Sequence, residues 1–235
     1  MIQKVKRDTL SEQVTQGLIE FIDAESLSPG DSLPSESKLA EEFGVSRPII
    51  REAMKTLQGE GIIEIVTGKN AVIKPISSAM LRKFFDRAIT LKSASFGDLI
   101  EARRGLEIQS VMLAAERCTD ADIAKMHDVI QQMRKHITEH EVFAGYDVQF
   151  HLLIASAAQN PVIYHLVESI RDTMRDNALF GLGHLLTDKE YQQVQLRHEA
   201  ILKALEAHDP QAAQIAMEEH FDTALKASLN KKDNK

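Results

Sequence analysis

The chain has 235 residues and 43 % hydrophobic content, enough to bury one large core or two smaller ones. Its formal net charge of -7 gives no global sign of a nucleic-acid partner, and a single cysteine, Cys118, excludes an internal disulfide and a cysteine-based zinc site, so any metal must be held by histidine and carboxylate. No apolar run reaches the ~20 residues that cross a bilayer, and the opening MIQKVKRDTL lacks the apolar stretch of a secretion signal, which together predict a soluble cytoplasmic protein with no membrane partner.

In chain order, Leu10, Val14, Leu18, Phe21 and Ile22 recur at helical spacing between 9 and 25. The loop SLSPGDSLPSES follows, and then two helices meet at FGVS. Leu39, Ala40 and Phe43 form the apolar side of the first; Ile49, Ile50, Ala53, Met54 and Leu57 form that of the second. Gly44 stands where the chain must stop one helix and turn, Ser46 is placed to cap the next, and Pro48 is tolerated in its first turn. This is a helix-turn-helix pattern. Directly after it, IIEIV, TGK and AVIK read as a short β-hairpin, completing a winged helix. Arg47, Arg51 and Lys55 fall four apart on one side of the second helix, a solvated charged face or a DNA-facing one. Residues 1–75 carry nine Lys+Arg against twelve Asp+Glu, whereas residues 46–58 hold three cations against Glu52 alone. The expected cationic surface is therefore a local stripe that a dimer would double, with strongly salt-dependent binding.

The segment LPSESKLAEEFGVSRPIIREAMKTLQGEGIIEI resembles the amino-terminal domain of GntR-family bacterial transcription regulators, over nearly all of residues 8–75. The resemblance implies DNA contacts from Ser46, Arg47 and Arg51 on the recognition helix and from Thr67 and Gly68 on the wing. Ser37 stands where relatives often carry a phosphate-facing arginine, which leaves Lys38 as the candidate substitute contact, and the wing reads VTGKNAVI in place of glycine-x-glycine.

After KPISSAM the texture changes to helix after helix, which puts the domain boundary at 76: a winged helix-turn-helix domain over 1–76 and an all-α antiparallel bundle over 77–235. Thr119-x-x-Asp122 and Thr187-x-x-Glu190 fit capping boxes, and Asn160-Pro161 and Asp209-Pro210 each pair a cap acceptor with a first-turn proline. These marks predict helices near 79–92, 96–117, 120–138, 141–157, 161–186, 188–207 and 210–229.

Within DVQFHLLIA, Asp147 and His151 border the stripe Phe143, Tyr146, Phe150, Leu153, Ile154, four apart and on one side. His198 lies amid Val194, Ile201, Leu202 and Leu205, and His220 amid Ala216, Met217, Ala224 and Leu225. Each could be a hydrogen-bonded core residue. Burying all four is costly without partners, and one divalent cation would satisfy them together. Three imidazoles and one carboxylate suit zinc first, with nickel, manganese or iron also compatible, and could leave positions open to a ligand.

DVQFH, RHEAILKALEAHDPQAA and MEEHF resemble the three metal-bearing segments of the FCD effector domain of FadR-like GntR regulators, and DLIEARRGLE resembles its opening signature. The resemblance covers about residues 79–229 and implies Asp147, His151, His198 and His220 as metal ligands beside a pocket for a small carboxylic acid that alters DNA affinity. Arg103, sharing a face with Leu99, Leu106 and Ser110, is the expected effector-binding clamp; its alternatives are an ion pair with Glu107 one turn on, or Arg104 facing the pocket instead. The leading expectation is a dimeric, effector-responsive repressor reading a palindrome in double-stranded DNA. A metal-dependent enzyme acting on a small organic acid is the alternative, disfavoured because no HExxH, glycine-rich phosphate loop or nucleophile elbow occurs. A purely structural metal with constitutive DNA binding is the third possibility.

Overall fold

A capping box that the sequence reading passed over starts the first helix, α1 (Leu10–Ala24): Thr9 Oγ1 accepts from the Glu12 amide at 3.2 Å while the Glu12 carboxylate accepts from the Thr9 amide. Next come α2 (Glu36–Glu42) and α3 (Arg47–Gly59), joined through Gly44 at φ +63°, the left-handed conformation that the turn requires of it. Gly17 has a different role. A Cβ there would lie 2.6 Å from the Phe43 ring, so its bareness lets α1 and the end of α2 close together. Ser46 has N-cap backbone angles but makes no side-chain cap bond. Pro48 removes one of the two amides such a cap serves, and the other, on Ile49, already donates to the Ser46 carbonyl at 3.0 Å, which leaves the Ser46 hydroxyl exposed.

The wing is smaller than its apolar letters suggest. Strands β1 (Ile63–Glu64) and β2 (Val72–Ile73) pair antiparallel, with Ile63 opposite Ile73 and Glu64 opposite Val72. The loop before α2 lines the other edge of β2, where Ser32 bridges Val72 and the Leu33 amide donates to the Ala71 carbonyl at 2.8 Å. Leu18, Leu39, Ile50, Leu57 and Ile63 close this core. The computed structural model describes residues 8–66, 68–178 and 187–229. They fall into two units, Met1–Met80 and Leu81–Lys235.

The described elements of the second unit are all helices: α4 (Ala79–Thr90), which crosses the unit boundary, then α5 (Phe96–Arg117), α6 (Asp120–Lys135), α7 (His140–Ala157), α8 (Pro161–Ala178), α9 (Asp188–Glu206) and α10 (Pro210–Leu229). Thr119 and Thr187 form the expected capping boxes with Asp122 and Glu190. The Asn160 and Asp209 side chains accept two first-turn amides each, just before their prolines. Ser95 with Asp98 makes a further box at the head of α5. The expected extension of α8 to 186 falls beyond the described residues. Helix α5 packs against α7, α8, α9 and α10, and Val111, Phe150, Ile154, Ile201, Leu205 and Met217 are among the buried residues they share. No helix is long and apolar enough to cross a membrane among the described residues.

Candidate metal centre

Helix α7 carries Asp147 and His151 one turn apart, α9 contributes His198, and α10 contributes His220. The packing of α10 on α9, of α5 on both, and of α5 on α7 makes these rods converge, and one ligand atom from each of the four residues lies within 4.8 Å of all the others. His198 Nε2 is 3.0 Å from Asp147 Oδ1, His151 Nε2 is 3.2 Å from His198 Nε2, and His151 Nε2 is 3.9 Å from Asp147 Oδ1. Donors bound to one tetrahedral ion at ~2.0–2.1 Å stand roughly 3.3–3.4 Å apart, so these separations bracket what a single small cation needs. The Phe150 ring, itself part of the core, lies edge-on to His151 and His198.

Burial sharpens the case. His151, His198 and His220 are buried, and each has an Nδ1 without an aligned hydrogen-bond partner. Asp147 alone keeps a quarter of its side chain exposed (25 %), which makes it the side from which the group can be reached. Burial would by itself raise the Asp147 carboxyl, but the hydrogen bond from His198 and the neighbouring charges of His151, His198 and Arg171 outweigh it and hold the group well below the usual carboxylate range. Burial, reinforced by the Arg171 charge, pushes His151 down to about 4, and burial with the two other imidazoles pushes His220 down as well. At neutral pH the donor set therefore includes a carboxylate and at least two bare imidazoles, the protonation state that metal binding demands.

A pH effect follows for the metal-free protein. The unfolded chain protonates His151 as pH falls through its ordinary value of 6.5, whereas the folded chain resists until about 4. Stability present above the first value is lost progressively toward the second, on the order of 2 kcal/mol from this histidine between about pH 7 and about pH 5. His220 acts in the same direction. Urea unfolding in the presence of a chelator should show the midpoint dropping over that interval; an unchanged midpoint would contradict the assignment of neutral buried imidazoles.

Two buried neighbours complete the group: Glu107, which sequence reasoning had placed only beside Arg103, and Arg171, which it missed. Arg171 from α8 places Nη1 3.1 Å from Asp147 Oδ2 and forks onto Glu107 with Nε and Nη2 at 2.9 and 2.6 Å. The signal was present: each is a charged residue set in an apolar stripe, Glu107 near Ser110 and Val111, Arg171 near Val167 and Ile170. Arg103 takes the first of its alternatives, with Nε 2.8 Å from Glu107 Oε1; its Nη1 meets Met174 Sδ at 3.3 Å and the guanidinium lies 5.5 Å over the Phe221 ring. Arg104 turns outward to Asp222 at 2.7 Å.

In the first unit, Arg47 and Arg51 share one carboxylate oxygen of Glu36, at 3.5 and 2.7 Å, with more than half of each side chain exposed. Lys38 stands apart from them, 3.7 Å from Glu42. Ser46 is exposed at the head of α3, and Gly68 is exposed on the wing at φ +78°. Thr67 lies outside the described residues. Glu36 carried no sequence signal as a partner, because the contact joins two helices across 15 residues.

Residues 10–73 match the family described as bacterial regulatory proteins, gntR family, and residues 98–223 match the FCD domain. The transcriptional regulator LutR of Bacillus subtilis is 32 % identical over 199 residues, covering 83 % of this chain and 90 % of LutR. The transcriptional repressor NanR of Escherichia coli K12 is 29 % identical over 227 residues, covering 92 % and 83 %. A solved GntR from Streptococcus agalactiae shares the fold at a TM-score of 0.71 and 24 % identity, covering 91 % of this chain and 98 % of that one. The matched families and these relatives are regulators, and nothing among them supports the enzyme alternative.

Proposed function

As a member of the gntR family of bacterial regulatory proteins with an FCD domain, this chain is a transcription regulator, and we propose that it is a homodimeric, FadR-like repressor whose hold on a palindromic operator is set by a small carboxylic acid at a zinc site. The convergence of Asp147, His151, His198 and His220 within 4.8 Å carries this reading. Three imidazoles and a carboxylate without a thiolate suit zinc and can leave a position open. When bound, the ion supplies a Lewis-acid position for a carboxylate oxygen.

Charge supports an anionic effector. The half-buried Asp147 and the buried Glu107 are matched by Arg171 and Arg103, so the surroundings are close to neutral before any cation enters. A divalent ion leaves a surplus positive charge, which an acid reaching the site past Asp147 would offset. Arg103, with two of its nitrogens already on Glu107 and Met174, is the expected second anchor for that acid.

At the other end, Arg47 and Arg51 would exchange Glu36 for phosphate or base edges, a small cost because the pairs are exposed. Ser46, Lys38, Thr67 and Gly68 would complete the contact. Two copies double the local stripe and fit a two-fold operator. Helix α4 has no buried residue and shows Phe84 at 67 % exposure and Met80 at 46 %, an apolar surface that a second copy would cover. Such an assembly belongs in the cytoplasm, where the DNA is.

An acid can weaken operator binding only through unequal affinity for two arrangements of the protein. Zinc-loaded protein titrated onto a palindromic site beside its own operon should lose roughly 5–150-fold in affinity when the right small carboxylic acid is added, with no response after chelation. Binding that ignores every acid tried while zinc is retained would leave the metal structural and refute effector control.

A further inference from the structure

The two ligands on α7 are each gripped from the side away from the other ligands. Glu107 Oε2 lies 2.6 Å from Nδ1 of His151, close though off the hydrogen-bond line, and Arg171 Nη1 lies 3.1 Å from Oδ2 of Asp147. The atoms left facing the cluster are Nε2 of His151 and Oδ1 of Asp147, those that meet His198 Nε2 at 3.2 and 3.0 Å. Glu107 and Arg171 are themselves joined by two bonds, and Arg103 closes the far side of Glu107 at 2.8 Å. A buried ion pair that served packing alone would satisfy itself. This one spends one oxygen and one nitrogen on the two ligands of a single helix.

We infer that Glu107 and Arg171 are positioning residues of the metal centre, an inference that rests on the zinc reading above. Glu107 faces Nδ1 of His151 and keeps the ring proton there, which fixes the tautomer with a bare Nε2 aimed at the ion. Arg171 occupies Oδ2 of Asp147, which restricts that carboxylate to one donor oxygen and keeps its second oxygen from competing for the position a ligand would use. Metal-bound histidines are ordinarily oriented in this way by a carboxylate on the opposite ring nitrogen. Here the orienting acid comes from α5 and its own anchor from α8, so two helices that supply no ligand hold the one that supplies two.

The test measures zinc affinity of the full chain by competition with a chromophoric chelator, for wild type, Glu107→Asp and Arg171→Lys. Both variants keep the buried charge balance while withdrawing the contact to the ligand. Glu107→Asp should raise the zinc dissociation constant ~10–100-fold, with circular dichroism of the metal-free protein unchanged, and Arg171→Lys should move it in the same direction. Wild-type affinity in folded variants overturns the positioning role while leaving the zinc site standing. Absence of zinc uptake by the wild type itself would remove the site and this role together. Should neither variant fold, nitrogen-15 spectra of the wild-type zinc form decide the matter: the His151 ring must carry its proton on Nδ1 and the metal on Nε2, and coordination through Nδ1 overturns the inference.

Discussion

Arg47→Ala should lower operator affinity by about two orders of magnitude or more in the dimer without changing the melting temperature. A charged side chain lost from a base or phosphate contact costs about 1–3 kcal/mol per site, and a two-fold operator counts the loss twice. Stability should hold because Arg47 is 56 % exposed and its acidic partner, Glu36, is 3.5 Å away and remains paired with Arg51 at 2.7 Å. The slope of affinity against salt should fall by about 0.9 for each phosphate contact removed. Fluorescence anisotropy on operator and scrambled DNA separates the possibilities. A loss on operator alone identifies Arg47 as a base reader; an equal loss on both makes it a phosphate anchor. Unchanged affinity on both would refute the assignment of α3 as the recognition helix.

Much of the fold is legible because its signals are local. A hydroxyl three residues before an acid, or an Asx before proline, satisfies first-turn amides with no help from the rest of the chain, and α6, α8, α9 and α10 begin where Thr119, Asn160, Thr187 and Asp209 say they should. Gly44 is legible for the same reason, since the turn it makes needs its positive φ. The four candidate ligands could be read because polar side chains in apolar stripes are expensive, and three stripes showed the same irregularity. Glu107 and Arg171 broke their stripes equally. Spacing, however, offered Glu107 a sufficient partner one turn away in Arg103, and nothing in the sequence reveals a fork from a residue 64 positions on. Glu36, which gathers the two recognition arginines from another helix, was hidden likewise. The exposed Ser46 hydroxyl shows the converse: a cap read from residue type failed once Pro48 removed one donor and the backbone took the other.

The second large effect belongs to His198, which touches both Asp147 and His151 and sits at the middle of the cluster. His198→Ala should cost zinc affinity more than the ~10–100-fold expected for an outer hydrogen-bond partner, because a coordinate bond is lost outright. The same change abolishes the stabilisation that zinc confers by binding only the folded state, about 4 kcal/mol when free zinc exceeds the dissociation constant a thousandfold. Operator binding without effector should survive, since the recognition residues lie in the other unit. Calorimetric titration of zinc into metal-free wild type and into His198→Ala tests the shared site most directly. One ion bound tightly per wild-type chain, with that event gone from the variant, is the result expected of four side chains holding one cation; equal affinity and stoichiometry in the two proteins would show that the ion sits elsewhere.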